Sequence, residues 1–108
     1  MIRWTPICRY PDLEPERGVA ALLGPDQVAV FRVHSGQLYA VDNYDPFAHA
    51  NVLARGIVGS RGDTPTLSSP MHKQVYDLRT GRCLDQPDVV LRTYPVRERD
   101  GVVEVGQP

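Results

Sequence analysis

The residues with the clearest potential for chemistry fall in two short stretches, Asp45-Pro46-Phe47-Ala48-His49 and Ser69-Pro70-Met71-His72-Lys73-Gln74. His72, Asp45 and His49 together would offer two imidazoles and one carboxylate, a donor set found at mononuclear iron centres. The alternative is that His72 bonds a backbone carbonyl or pairs with Asp45, and no metal is held. Ser68 and Ser69 could be nucleophiles, but no G-x-S-x-G pattern surrounds them and no cysteine–histidine pair is close in sequence. Cys8 and Cys83 are the only cysteines, and two thiols alone do not complete a structural zinc site. They read as ordinary buried or half-buried thiols. Arg55, Arg79 and Arg82 carry guanidinium forks suited to carboxylates and phosphates. With no glycine-rich phosphate loop beside them, solvated charge is the simpler account.

Composition narrows the class. The 108 residues suit one domain, 1–108, with a single modest core. Twelve basic residues against thirteen acidic ones argue against a nucleic-acid surface. No apolar run approaches the ~20 residues that span a bilayer, and Met1-Ile2-Arg3-Trp4-Thr5 lacks the shape of a signal peptide. The expectation is a cytoplasmic protein that contacts neither nucleic acid nor membrane.

The elements that would position the two stretches are short strands. Trp4–Cys8 reads as a strand with an edge proline, and Val19–Leu23 as a second strand. Gln27–Val33 meets Leu38–Val41 across His34-Ser35-Gly36, a hairpin pattern. Asn43 to Asp63 is irregular, with Leu53–Gly59 offering one short strand inside it. Strands resume at Thr66–Ser68 and Val75–Leu78, and Arg79–Arg82 turns the chain through Gly81. Leu91–Glu98 and Val102–Val105 form a closing hairpin round Asp100-Gly101. No helical apolar stripe of twelve residues occurs, so the fold expected is all-β.

Two groups of residues carry a family resemblance. Ser69-Pro70-Met71-His72 followed by Val75-Tyr76-Asp77-Leu78-Arg79-Thr80-Gly81 resembles the second cluster-binding loop of Rieske domains, whose pattern is C-P-x-H running into F-D-L-x-T-G. Val41-Asp42-Asn43-Tyr44-Asp45-Pro46-Phe47 resembles the first loop, where C-P-H follows a strand ending in asparagine. Asp45 and Ser69 stand at the two cysteine positions and Phe47 at one histidine position, leaving His72 as the surviving ligand type. A Rieske cluster needs two thiolates on one iron and two imidazoles on the other. The resemblance therefore implies an antiparallel Rieske-like β-sandwich with two loop tips and no [2Fe–2S] cluster.

Along nearly the whole chain the pattern is similar to the small subunits of assimilatory NAD(P)H-dependent nitrite reductases. Trp4 with Ile7-Cys8, Val28–Arg32, Asp42–Phe47, Val52–Gly59, Ser69–Gln74, Asp77–Leu84 and Tyr94–Arg97 carry the match. The resemblance implies a non-catalytic accessory subunit with no cofactor of its own. Its partner would be a large subunit carrying FAD, an iron–sulfur cluster and sirohaem, which takes nitrite to ammonia. Pro46, Phe47, Pro70, Met71, Lys73 and Gln74 would lie on the loop tips and form the partner interface. For Phe47 the alternative is a core plug. Lys73 replaces a small residue of the cluster-bearing loop, and a salt bridge to Asp45 is conceivable. Two other functions stand beside this one: a Rieske-type electron carrier with a variant metal centre using His72, and a domain of some other oxygenase or reductase complex.

Overall fold

The computed structural model describes residues 1–71 and 73–108. Its strands are β1 (Arg3–Arg9), β2 (Gly18–Leu23), β3 (Asp26–Arg32), β4 (Leu38–Asp42), β5 (Tyr44–Asp45) and β6 (Ala50–Asn51). They continue as β7 (Ile57–Arg61), β8 (Thr64–Ser68), β9 (Val75–Asp77), β10 (Thr93–Tyr94), β11 (Val96–Arg99) and β12 (Val102–Gln107). Short 3₁₀ turns occupy Tyr10–Asp12 and Leu53–Arg55. All strand pairings are antiparallel. The sheets run β1-β12-β11, β10-β4-β3-β2, β5-β6 and β7-β8-β9.

β3 explains the layering. Its Val28-Ala29-Val30-Phe31 is an unbroken apolar run, and all four residues are buried. Successive side chains on a strand point to opposite faces, so the run must be covered on both sides. Val28 and Val30 pack with Leu13, Leu23, Ala40, Tyr94, Val103 and Val105, which brings in β12. Ala29 and Phe31 pack with Val33, Val41, Leu53, Leu67, Tyr76, Leu78, Cys83 and Leu91, which brings in β8 and β9. The central sheet thus has the sheet of both chain termini on one face and the loop-bearing sheet on the other.

β1 lies at the edge of its sheet, where a proline without an N–H is tolerated, and its register slips between Pro6 and Cys8. Asp100 and Gly101 have φ of 53° and 81°, the pair of positive values that a type I′ hairpin demands. Two expectations need correction. Leu53–Gly59 is not one strand: Leu53–Arg55 is a 3₁₀ turn, and β7 begins at Ile57. The break falls at Gly56, where a Cβ would sit 2.5 Å from the Ser68 carbonyl oxygen. Leu91–Glu98 likewise divides at Pro95, with Thr93–Tyr94 pairing to β4 and Val96–Arg99 to β12. A residue without an N–H is a natural place for a chain to change sheets.

The segment between β9 and β10 is held by Gly81, whose N–H donates to Asp77 at 2.7 Å and whose carbonyl accepts from Leu91 at 2.8 Å. Gly81 has φ of 80°, and an added Cβ would lie 2.1 Å from the Leu91 carbonyl oxygen. Gly81→Ala is therefore expected to destabilise the fold by roughly 2–4 kcal/mol, combining left-handed strain with a backbone overlap. A urea midpoint within error of the parent would show that the turn relaxes freely.

Candidate functional site

The two stretches singled out by the sequence form loops that share a hydrogen-bond pattern at their first residue. In the first, which joins β5 to β6, Asp45 Oδ1 accepts the Phe47 N–H at 2.9 Å and the Ala48 N–H at 3.4 Å. The His49 N–H donates to the Asp45 carbonyl at 2.8 Å. In the second, which joins β8 to β9, Ser69 Oγ accepts the Met71 N–H at 3.2 Å, and the Lys73 N–H donates to the Ser69 carbonyl at 3.1 Å. Short polar side chains that bond the backbone two residues on are the usual means of starting such turns. The fifth residue of each loop has positive φ, 54° at His49 and 60° at Lys73. Neither is glycine, so both loops hold a conformation that costs an ordinary residue about 1 kcal/mol or more.

The two turn-starting side chains meet. Ser69 Oγ donates a short hydrogen bond to Asp45 Oδ2, and the Tyr76 hydroxyl donates to Asp45 Oδ1 at 3.3 Å. Asp45 and Tyr76 are fully buried and Ser69 nearly so. A buried carboxylate is tolerated when its oxygens are surrounded by donors, and both oxygens of Asp45 are. Burial, then the neighbouring Asp45 carboxylate and Cys83, push the Tyr76 phenol far above its ordinary range. Tyr76 therefore stays protonated as a donor at every physiological pH.

Asn43 anchors the first loop from behind. It is 3% exposed, and its side chain donates to Gln27 Oε1 at 3.1 Å and accepts the Ala54 N–H at 2.7 Å. Its backbone bonds Gln27 and Leu53, tying the loop both to β3 and to the 3₁₀ turn. Asp77 holds the turn after β9: its carboxylate accepts the Arg79 N–H at 2.8 Å and pairs with the Arg79 guanidinium.

The remaining residues divide by exposure. Phe47 is half-buried and packs against the core cluster beneath the loops, while Pro46 is half-buried. Pro70, Met71 and Lys73 are exposed, Met71 at 60%. Gln74 is half-buried, and its carbonyl accepts the Ser69 N–H at 2.9 Å. His49 is exposed, and its Nδ1 lies 3.3 Å from the Tyr44 hydroxyl. Lys73 forms no ion pair with Asp45. His72 lies outside the described residues. Among the described residues no group of three or more histidine, cysteine, aspartate or glutamate side chains is placed to hold a metal. Arg79 is engaged by Asp77 and by Thr64 Oγ1 at 2.9 Å, whereas Arg55 lines an open cleft with Arg17 between β2 and β7. Both cysteines are free, Cys83 within the core and Cys8 half-buried.

Residues 3–106 match the family of Rieske-like [2Fe-2S] domains. The chain is 41% identical to the nitrite reductase (NADH) small subunit of Escherichia coli strain K12 over 106 residues, 97% of this chain and 98% of that one. A crystal structure described as an NADH-dependent nitrite reductase small subunit of Mycobacterium tuberculosis superposes with a TM-score of 0.96 at 44% identity, covering 100% of this chain and 97% of that chain. A nitrite reductase [NAD(P)H] large subunit of Klebsiella oxytoca contains a segment 41% identical over 103 residues, 95% of this chain but 11% of that protein. The chain belongs to the nitrite reductase small-subunit family of Rieske-like domains.

The cluster that gives the wider family its name does not fit the donors present. Two thiolates and two imidazoles are required, and neither loop contains a cysteine: Asp45 and Ser69 begin them. Those side chains touch each other directly, and Phe47 has no donor atom to offer. Nothing in the spacing of Asp45 and Ser69 along the chain signals that they bond one another. Tyr76 was missed as part of the site, although a signal existed: the family pattern has phenylalanine there, and the added hydroxyl is the group that reaches Asp45.

Asp45→Ala is expected to cost roughly 3 kcal/mol or more, because it removes the acceptor of the buried Tyr76 hydroxyl and of two loop amides and breaks the bond to Ser69. Chemical denaturation of the purified chain measures it. The raised Tyr76 phenol also sets an alkaline limit. Above about pH 10 the unfolded chain releases this proton while the folded chain retains it, so stability falls as pH rises. Tyr76→Phe should flatten that fall between about pH 9 and about pH 11. An unchanged slope would assign the alkaline sensitivity to other groups.

Proposed function

We propose that this chain is a non-catalytic accessory subunit of a cytoplasmic, assimilatory NAD(P)H-dependent nitrite reductase. It binds the large subunit, which carries FAD, an iron–sulfur cluster and sirohaem and converts nitrite to ammonia. The observation that carries a structural rather than redox role is the Ser69–Asp45 hydrogen bond between the two loops. Side chains that bond one another across this gap hold the tips together without any electron carrier.

Binding to the large subunit draws support from the Klebsiella oxytoca relative, in which the matching segment is part of a large-subunit chain. Both termini of this fold belong to the β1-β12-β11 sheet, where Arg3 pairs with Gln107. The loop tips belong to the opposite layer. A linkage through either terminus therefore leaves the tips free to dock. Pro70 and Met71, exposed apolar side chains on the second tip, suit the apolar centre of an interface, and Lys73 its charged rim. No helix among the described residues is long and apolar enough to cross a membrane.

The test is native purification from cells grown on nitrite, with nitrite-dependent NAD(P)H oxidation assayed in the same fraction. A large sirohaem flavoprotein should co-purify, and activity should fall when this chain is stripped away and return when it is added back. Met71→Glu, which sets a charge in the proposed interface, should weaken that rescue about tenfold or more. Purification with an unrelated partner, or full activity without this chain, would sink the proposal.

A further inference from the structure

Membership of the family does not by itself account for a carboxylate and a hydroxyl at the two loop starts, Asp45 and Ser69. Apolar residues would fill a gap between loops with no desolvation cost, whereas a fully buried aspartate is costly unless every lone pair finds a donor. Asp45 finds donors in three separate pieces of chain: its own loop through the Phe47 and Ala48 amides, the second loop through Ser69, and β9 through Tyr76. Ser69 in turn is fixed by the Met71 and Lys73 amides of its own loop. A displacement of either tip along the other would break the Ser69–Asp45 bond, which is buried on both sides. The pair therefore has the attributes of a positional pin: directional, buried, and shared by both loops.

We propose that the Asp45–Ser69 hydrogen bond, backed by Tyr76, fixes the relative position of the two loop tips and so shapes the surface offered to the large subunit. The second half of this proposal rests on the docking reading above. Asp45, Ser69 and Tyr76 are positioning residues, since all three are buried and act through the exposed Pro70, Met71 and Lys73.

Ser69→Ala tests it with two readouts. Hydrogen exchange on the isolated chain should quicken about tenfold or more at Phe47 and Ala48, amides of the other loop, while the amides of Phe31 and Val105 stay unchanged. The Kd for the purified large subunit should rise tenfold or more. Val103→Ala, which removes core volume in the layer remote from the loops, supplies a control for lost stability. It should leave the Phe47 and Ala48 amides and the Kd within twofold of the parent. Should Ser69→Ala fail to fold, Tyr76→Phe removes one donor at nearly constant volume, and about threefold changes in both readouts are expected. Unchanged exchange at Phe47 and Ala48 would overturn the pin. Equal loss of affinity in Val103→Ala would overturn its link to docking. Absence of any binding by the parent chain would instead sink the docking reading, with the exchange result still deciding whether the pin exists.

Discussion

A carboxylate taken fully out of water must be met by donors from whatever surrounds it, and the loop-bearing half of this molecule is arranged round that demand at Asp45. Each oxygen is reached by a different part of the chain. Two amides of its own turn and the Tyr76 hydroxyl converge on one, and Ser69 takes the other. The consequence is mechanical. Two loops that are far apart in sequence become one object, because each begins with a polar side chain that both starts its own turn and bonds its counterpart. The matched positive φ values at His49 and Lys73 show how closely the two turns repeat each other.

The layers beneath make this possible. β3, apolar on both faces, forces one sheet to cover it from each side, and the second of these layers brings Tyr76 and Leu67 under the loops. Tyr76 contributes its ring to the apolar cluster and its hydroxyl to Asp45, so core packing and loop geometry are joined in one side chain. Asn43 makes the corresponding link on the other side, bonding Gln27 at the start of β3 and the 3₁₀ turn at Leu53–Arg55. A separate polar cluster braces the far end of the central sheet: the Arg92 guanidinium pairs with Asp26 at 2.8 Å, and Tyr94, its phenol pushed up to about 12 chiefly by burial and by its bond to Asp42, ties β10 to β4. Such bridges matter where a strand such as β10 is only two residues long.

Membership of a nitrite reductase small-subunit family gives these features a setting. The two loop tips are tied here through Asp45, Ser69 and Tyr76. The tips place Pro70, Met71 and Lys73 in solvent while Phe47 turns toward the core. That division separates an exposed surface from the packing that supports it, though both belong to the same short loops.

Local chemistry carried much of this reading. Alternating apolar residues located most strands, Asp100-Gly101 marked its hairpin, Gly81 marked its turn, and the loop patterns pointed to the family. The irregular stretch from Asn43 to Asp63 and the strand broken at Pro95 were less legible, because two-residue strands and 3₁₀ turns are stabilised by distant partners more than by their own residues. The sequence by itself determined which groups the loops could present and that thiolate ligands were not among them, since composition decides donor chemistry. Only the tertiary structure decided that Asp45, Ser69 and Tyr76, separated by up to 31 residues, share one buried contact. Hydrogen bonds of that kind depend on distances of a few ångströms, and those are set by how the sheets stack.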